Sequence, residues 1–242
     1  MVVKKFAAFD IDGTIFRWQL YHEMFDALLT EQVIAPSDAE RVLAAREDWR
    51  KRERSYHDYE MILMEVMEEA IVGLRDDRFH TIANEILVKK GHHVYTYTTK
   101  LLKDLQAKGY VIIAISASHQ QLVDAFCRLH NIDIAIGRKY EVVQGKITAK
   151  SEYVHGRKHL LLRRIVKEHG LTWEDSYAVG DSGGDSSMLA RVEHPIAFNP
   201  NNDLQTEAMK HGWPIVLERK SIAYRLEKGP DGTYILAETI CG

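Results

Sequence analysis

Phe6-Ala7-Ala8-Phe9 is the first apolar run of the chain, and it stops at Asp10-Ile11-Asp12-Gly13-Thr14. A short apolar run that ends in a turn signal reads as a buried strand. From Trp18 the period changes, with Trp18, Tyr21, Met24, Phe25, Leu28 and Leu29 lining one face at helical spacing. A second helix is expected after Pro36, where Ser37-x-x-Glu40 has the form of a capping box, through Val42, Leu43, Ala44 and Arg46 towards Trp49. Two more follow, on Tyr59, Ile62, Leu63, Val66, Met67 and Ala70, and on Phe79, Ile82, Ala83, Ile86 and Leu87. A crossover between parallel strands needs one helix, not about four, so residues 17–90 read as an inserted helical cap.

Past the insert, strands and helices alternate as in a parallel α/β sheet. A helix ending near Lys108-Gly109 precedes a strand over 110–115, a helix over 122–129 and a strand over 132–136. Residues 138–148, centred on Gln144-Gly145, read as a small hairpin. A helix over 154–169, a strand over 177–179, a Gly-rich loop, a short helix near Met188 and strands over 195–198 and 215–217 complete the pattern. The fold class is therefore α/β, a parallel sheet core of residues 1–16 and 91–218 around an all-helical cap. Residues 219–242 form a tail in which Gly229-Pro230-Asp231-Gly232 separates two strand-like runs, a hairpin signal.

Composition narrows the partners. With 242 residues, 45% of them hydrophobic, the chain can bury a substantial core. Its formal charge of −3, from 32 Lys+Arg and 35 Asp+Glu, gives no broad footprint for nucleic acid or an anionic membrane. Cys127 and Cys241 fit neither a disulfide frame nor a zinc spacing, so a reducing cytoplasm is the expected compartment. The longest later apolar run, 110–117, is too short to span a bilayer, and no secretory leader is expected. The basic run at 50–54 reads as a solvated helix face, because Glu47, Asp48 and Glu53 dilute it. His155 and His159 are expected to face solvent on either side of Lys158. Helix packing accounts for Phe16, Trp18, Tyr21 and Phe25.

Candidate chemistry gathers at strand ends and helix starts. Asp10 and Asp12 close the first strand, where open α/β sheets carry reactive groups. One carboxylate can attack phosphorus, its neighbour can handle a proton, and the pair can hold a hard cation. Ser116, followed by Ala117 and Ser118, stands after the strand 111–115 and can meet phosphate oxygens with its hydroxyl and nearby N–H groups. Lys158 offers a compact positive charge. Asp181 and Asp185 lie on Gly180-Asp181-Ser182-Gly183-Gly184-Asp185. Each segment alone has a bland use, as a turn, a helix cap or a surface lysine. Four acids beside a phosphate need a cation, and oxygen donors favour Mg²⁺.

In order, Asp10-x-Asp12-Gly13-Thr14, Ser116, Lys158 and Gly180-Asp181-x-x-x-Asp185 resemble the four motifs of the haloacid dehalogenase superfamily. The chain is most similar to the phosphatase branch that includes phosphoserine phosphatase, over about residues 3–217. That resemblance implies a Rossmann-like core and Mg²⁺-dependent hydrolysis of a small phosphorylated metabolite through an aspartyl-phosphate. It implies Asp10 as nucleophile and Asp12 as acid and then base. Ser116, Ala117 and Lys158 would bind phosphate, Asp10, Asp12 (by its backbone carbonyl) and Asp181 would bind the metal, and Asp185 would support them. Asp12 also argues against dehalogenation, since the superfamily's dehalogenases lack that acid. The same intermediate would serve a phosphotransferase or phosphomutase, whereas a non-catalytic binding protein of this fold would have lost such residues. Like-charge repulsion is expected to raise the Asp12 pKa. Gln19 stands where phosphoserine phosphatases carry an acid for the substrate amine, with Glu23 one turn later. Gly184 replaces an Asn, so Ser182 or Ser186 is the candidate for its hydrogen bond, and Arg50 or Arg54 for a cap arginine.

Overall fold

The computed structural model describes residues 4–241. Strand β1 (Phe6–Phe9) is wholly buried, as its unbroken apolar sequence requires of a strand covered on both faces. It pairs in parallel with β2 (Val111–His119) on one side and with β5 (Tyr177–Gly180) on the other. The described sheet has nine strands in the order β4-β3-β2-β1-β5-β6-β7-β8-β9, with β3 (Ile134–Val143), β4 (Lys146–Glu152), β6 (His194–Phe198), β7 (Ile215–Arg219), β8 (Ile222–Lys228) and β9 (Tyr234–Cys241). From β1 the chain winds outward first through β2 and β3, then on the opposite side through β5, β6 and β7. The reversal falls beside β1, and such a switch point opens a crevice at the carboxyl ends of the strands.

Both edges are antiparallel additions. Gln144 and Gly145 take φ of 50° and 75°, the left-handed pair of a tight hairpin turn, and join β3 to β4. The hairpin signal in the tail corresponds to β8 and β9, which are not a separate appendage: β8 pairs with β7 and extends the sheet.

Between β1 and the helix before β2, α5 (Thr96–Ala107), lie α1 (Leu20–Thr30), α2 (Pro36–Arg50), α3 (Tyr56–Ala70) and α4 (Asp76–Lys90). The capping box expected at Ser37 is absent. Pro36 opens α2 itself after Ala35, because its fixed φ suits the first helical position, and Ser37 falls inside the helix. The capping serine is Ser55, whose Oγ accepts from the Asp58 N–H at 3.0 Å. Trp18 precedes α1 rather than joining it.

Beyond the insert, α6 (Gln120–His130), α7 (Lys158–Glu168) and α8 (Ser186–Leu189) match the expected order, although α7 starts four residues later than the apolar pattern suggested. A further helix, α9 (Asn202–His211), escaped the sequence reading; Asn201 caps it and Gly212, at φ 71°, ends it. Strand β2 runs past Ile115 to His119, so Ser116 lies within the strand rather than after it, and Ala117 and Ser118 do not open the next helix. Between Ile115 and His119 the strand advances four residues while β3 advances two, from Ile136 to Arg138, and the excess bows out of the ladder.

Two apolar clusters cover the sheet. One holds Phe6, Ile113, Ile115, Leu162, Met188 and Leu204. The other joins Phe9, Ile112 and Phe126 to Met24, Leu63 and Phe79 of the inserted helices, which therefore share a core with the sheet. Among the described residues, no helix is long and apolar enough to cross a membrane.

His119 marks that shared core. Its ring stacks on Tyr21 at 4.9 Å and Tyr140 at 5.6 Å, takes the Phe79 edge at 5.1 Å, and has no hydrogen-bond partner among the described residues. Burial, then the Arg138 charge, pushes its pKa down to about 3. Folded His119 is thus neutral, and its contribution to stability is whole above the unfolded value near 6.5 and drains away as pH falls towards 3, by about 1.4 kcal/mol per pH unit. His119→Phe keeps the stack and removes the titration. Urea denaturation is expected to show its stability relative to wild type rising by about 2 kcal/mol between roughly pH 7.5 and pH 5; a difference independent of pH would contradict this.

Candidate active site

Asp10 continues the β1–β5 ladder, its N–H donating to the Val179 carbonyl at 2.9 Å, so the chain delivers it at the switch point. The backbone then coils tightly. The Ile11 carbonyl accepts from Thr14, Ile15 and Phe16, and Gly13 takes φ 76° with its N–H shared between the carbonyls of Phe16 and Trp18. Only glycine fits there: a Cβ would lie 2.2 Å from Asp181 Oδ2.

The two leading carboxylates point into different surroundings. Asp12 is buried. Its Oδ2 accepts from Ser116 Oγ at 2.7 Å and Ser118 Oγ at 2.9 Å, and its Oδ1 accepts from the Leu20 N–H at 2.5 Å. Burial raises its pKa, while the Ser116, Leu20 and Ser118 hydrogen bonds pull the other way. The direction is as expected, but the leading cause is desolvation rather than repulsion between carboxylates. Ser118 donates its N–H to Ser116 Oγ at 2.9 Å, and Ala117 is exposed between the two buried serines where β2 bows outward.

Asp10 faces the opposite group. Lys158, at the first position of α7, donates to Asp10 Oδ1 at 2.7 Å and to Asp185 Oδ1 at 2.5 Å. The other Asp185 oxygen accepts from the N–H groups of Asp181 (3.2 Å) and Ser182 (3.0 Å) and from Ser182 Oγ (3.0 Å). Carboxylate oxygens of Asp10, Asp181 and Asp185 lie within 4.8 Å of one another. Burial pushes the Asp10 pKa up to about 7, Lys158 opposes the rise, and Asp185 and Asp12 add to it. Asp181 is raised well above the carboxylate range by burial and then by Asp10 and Asp185. Burial works against a charged Lys158, yet Asp10 and Asp185 outweigh it and hold its pKa above the usual lysine value. Three hard oxygen donors with this excess of negative charge fit a divalent cation. The Asp12 carboxylate lies outside that group.

Other candidates fall elsewhere. Glu23 is tied to Lys90 at 2.5 Å, and half-buried Gln19 precedes α1. Arg54 turns to Asp48 at 3.3 Å and Arg50 is exposed. Ser182 spends its hydroxyl on Asp185, while Ser186 Oγ is buried without a partner among the described residues. His155 is exposed near Gly184, but His159 is half-buried, its Nδ1 3.2 Å from Ser187 Oγ, so only the first faces solvent as expected.

Two residues were missed by the sequence reading. Tyr56 and Glu60, one turn apart on α3, both feel the site. Burial, then Glu60 and Tyr59, raises the Tyr56 pKa, with Asp12 and Asp181 adding to the shift. Glu60 is raised by burial, with His57 and His155 opposing and Asp12 adding. Their i,i+4 spacing behind the Ser55 cap was the available signal.

Gly13→Ala is expected to cost about 1–2 kcal/mol from the left-handed backbone alone, and to weaken binding of a divalent cation, probed with Mg²⁺, because the methyl displaces Asp181. Gly109, at φ 82° with open space around a Cβ, supplies the control. Gly109→Ala should match the loss in urea denaturation and leave the Mg²⁺ titration by calorimetry unchanged. Equal cation affinity in both variants would remove Asp181 from the cation site.

The sequence matches the model of the haloacid dehalogenase-like hydrolases over residues 7–190. It is 28% identical over 134 residues to a probable phosphatase of Mycobacterium tuberculosis, covering 54% of this chain and 47% of that protein, about half its length. To the histidinol-phosphatase of Neisseria meningitidis serogroup C it is 22% identical over 230 residues, 88% of this chain and 99% of that protein. A solved structure, a phospho-aspartyl intermediate analogue of phosphoserine phosphatase, superposes with a TM-score of 0.59 at 21% identity, over 90% of this chain and 95% of that one, a likeness of fold.

Proposed function

Because this chain belongs to the haloacid dehalogenase-like hydrolase family, we propose that it is a phosphatase, a Mg²⁺-dependent phosphomonoesterase that hydrolyses a small phosphorylated metabolite through an aspartyl-phosphate on Asp10. The observation that carries this reading is the division of labour at the end of β1. Asp10 is set among Lys158, Asp181 and Asp185, whereas Asp12 is held apart by two serines and a backbone N–H. Phosphatase-named relatives support the reaction class. The two free cysteines are consistent with work in a reducing cytoplasm.

In the first step an Asp10 oxygen forms a bond to phosphorus as the ester P–O bond breaks, and Asp12, protonated, gives its proton to the leaving alkoxide. In the second, water attacks phosphorus, Asp12 takes a proton from it, and inorganic phosphate leaves with Asp10 restored. Lys158 neutralises phosphoryl charge, and Ser116 can turn its hydroxyl from Asp12 to a phosphoryl oxygen beside the Ala117 N–H. Mg²⁺, held by Asp10, the Asp12 backbone carbonyl and Asp181, would offset the charge on those oxygens. Asp185 keeps Lys158 in place through their 2.5 Å pair. The helices of residues 17–90 would choose the substrate.

The test is phosphate release from a panel of phosphorylated metabolites with Mg²⁺ or EDTA. Asp10→Asn is expected to lose activity by on the order of 10⁴-fold, and EDTA to abolish turnover in the wild type. Turnover by Asp10→Asn close to wild type, or undiminished by EDTA, would sink the mechanism.

A further inference from the structure

Helix α7 has two strips with different neighbours. Lys158, Leu162, Ile165 and Val166 are buried, and the three apolar ones join the cluster on one face of the sheet. One position earlier, Arg157, Leu160, Leu161 and Arg164 recur at i, i+3, i+4 and i+7, so they share the adjoining strip. That strip borders a cavity of about 330 Å³, flanked by β3 around Gly137 and by the last residue of β4 with the two that follow it. The volume falls at the lower end of the roughly 300–1,000 Å³ typical of small-molecule sites. None of Asp10, Asp12, Ser116, Lys158, Asp181 and Asp185 lines it, so the cavity is separate from the carboxylate cluster.

Its walls combine charge with apolar surface. Lys139, Arg157 and Arg164 contribute three cations, and Glu152, opposite Lys139 on the β3–β4 ladder, returns one negative charge. Among the described residues Lys139 and Arg157 form no ion pair, and Arg164 reaches Glu168 only at 3.9 Å. The whole chain has a formal charge of −3, so this local excess runs against the general balance. Cations around a concavity focus their field into it. The first turn of α7 has no side-chain cap and adds the positive end of the helix dipole to the same wall. A merely solvated strip would set carboxylates one turn from its cations. Here two leucines stand between Arg157 and Arg164, and Leu160 is 49% exposed. Tyr153 is 51% exposed, yet its ring is held in place: the Arg138 guanidinium lies 4.2 Å from its centroid and is itself fixed by Glu68 and Ser151.

We propose that this cavity is a second binding site, for a small organic anion with an apolar or aromatic body. The acidic group would sit among Lys139, Arg157 and Arg164, and the body against Leu160, Leu161 and Tyr153. Inorganic phosphate or sulfate would leave the apolar wall uncovered, and a neutral ring would leave the cations without a partner, so the ligand needs both features. This site does not depend on the reaction assigned to Asp10.

Anilinonaphthalene sulfonate has this chemistry and reports its own burial by fluorescence. It is expected to bind the wild type saturably at a single site, and N-phenyl-1-naphthylamine, the same rings without the sulfonate, at least about tenfold more weakly. Lys139→Glu with Arg164→Glu, both at exposed positions, should weaken the sulfonate by about tenfold or more, and Leu160→Ser by about fivefold. Lys89→Glu with Lys103→Glu makes the same change in net charge at exposed positions on α4 and α5, and should leave the affinity within about twofold. The site is overturned by an absence of saturable binding, by equal affinity for the two probes, or by wild-type affinity in either cavity variant. An equal loss in the Lys89→Glu, Lys103→Glu control would also overturn it, because net charge alone would then account for the effect.

Discussion

Lys158 is a buried ammonium held between Asp10 at 2.7 Å and Asp185 at 2.5 Å, and the rest of the molecule is arranged around that contact. Desolvation alone would strip the lysine of its proton. Two carboxylates reverse this, yet they bring more negative charge than one ammonium can offset, and Asp12 and Asp181 add to it. Burial first, and then this excess, displaces the pKa values of Asp10 and Asp181 upward, and three carboxylates so placed suit a divalent cation. Such a concentration of like charge survives only on a rigid frame. The central parallel strands provide the frame, with β1 between β2 and β5, and the Asp185 side chain is pinned by three donors from its own loop.

The inserted helices are part of the same frame. Their apolar faces enter one cluster with β1, β2 and α6. The turn between α3 and α4 also pairs with the β3–β4 hairpin: the Gly73 N–H donates to the Ile147 carbonyl at 2.9 Å, that of Ile147 to Leu74 at 3.0 Å, and that of Asp76 to Gly145 at 3.0 Å. Arg138 adds a third tie, reaching Glu68 of α3 while lying over the rings of Tyr140 and Tyr153. An insert held from below by apolar packing and from the side by a hairpin presents a fixed wall to the carboxylates.

Much of this was legible in the chain, for identifiable reasons. β1 and β5 announce themselves because strands covered on both faces must be continuously apolar, and the acids and glycines that end them break the pattern abruptly. The four helices of the insert are visible in their spacing. What the pattern missed depends on contacts distant in sequence. The bow in β2 at Ser116–Ser118 is set by pairing with β3, so a local reading ended the strand at Ile115. Helix α9 is short and mostly polar on its open face, and its two buried anchors, Leu204 and Ala208, give too little periodicity to stand out. Glu23 illustrates the limit at the site itself. Its position one turn after Gln19 made it the natural acid for a substrate, but Lys90, sixty-seven residues on, takes its carboxylate, and the acid that senses the site comes from another helix.

The cause of the Asp12 shift also bears on how the proposed chemistry holds together. Had repulsion from Asp10 and Asp181 kept Asp12 protonated, a divalent cation among those carboxylates would remove the repulsion and with it the proton, so the metal and the acid would oppose one another. Burial is the leading cause instead. Desolvation of Asp12 comes from the coil of Ile11–Leu20 and from β2 packed around it, and neither changes when charge on the far side of Asp10 is neutralised. Ser116 and Ser118 tune the effect in the opposite direction, since their hydrogen bonds favour the carboxylate. A phosphoryl group that draws Ser116 away from Asp12 would therefore raise the Asp12 pKa at the moment when a protonated acid is needed, and release of phosphate would lower it again. The serine proposed to meet the substrate would in this way time the proton.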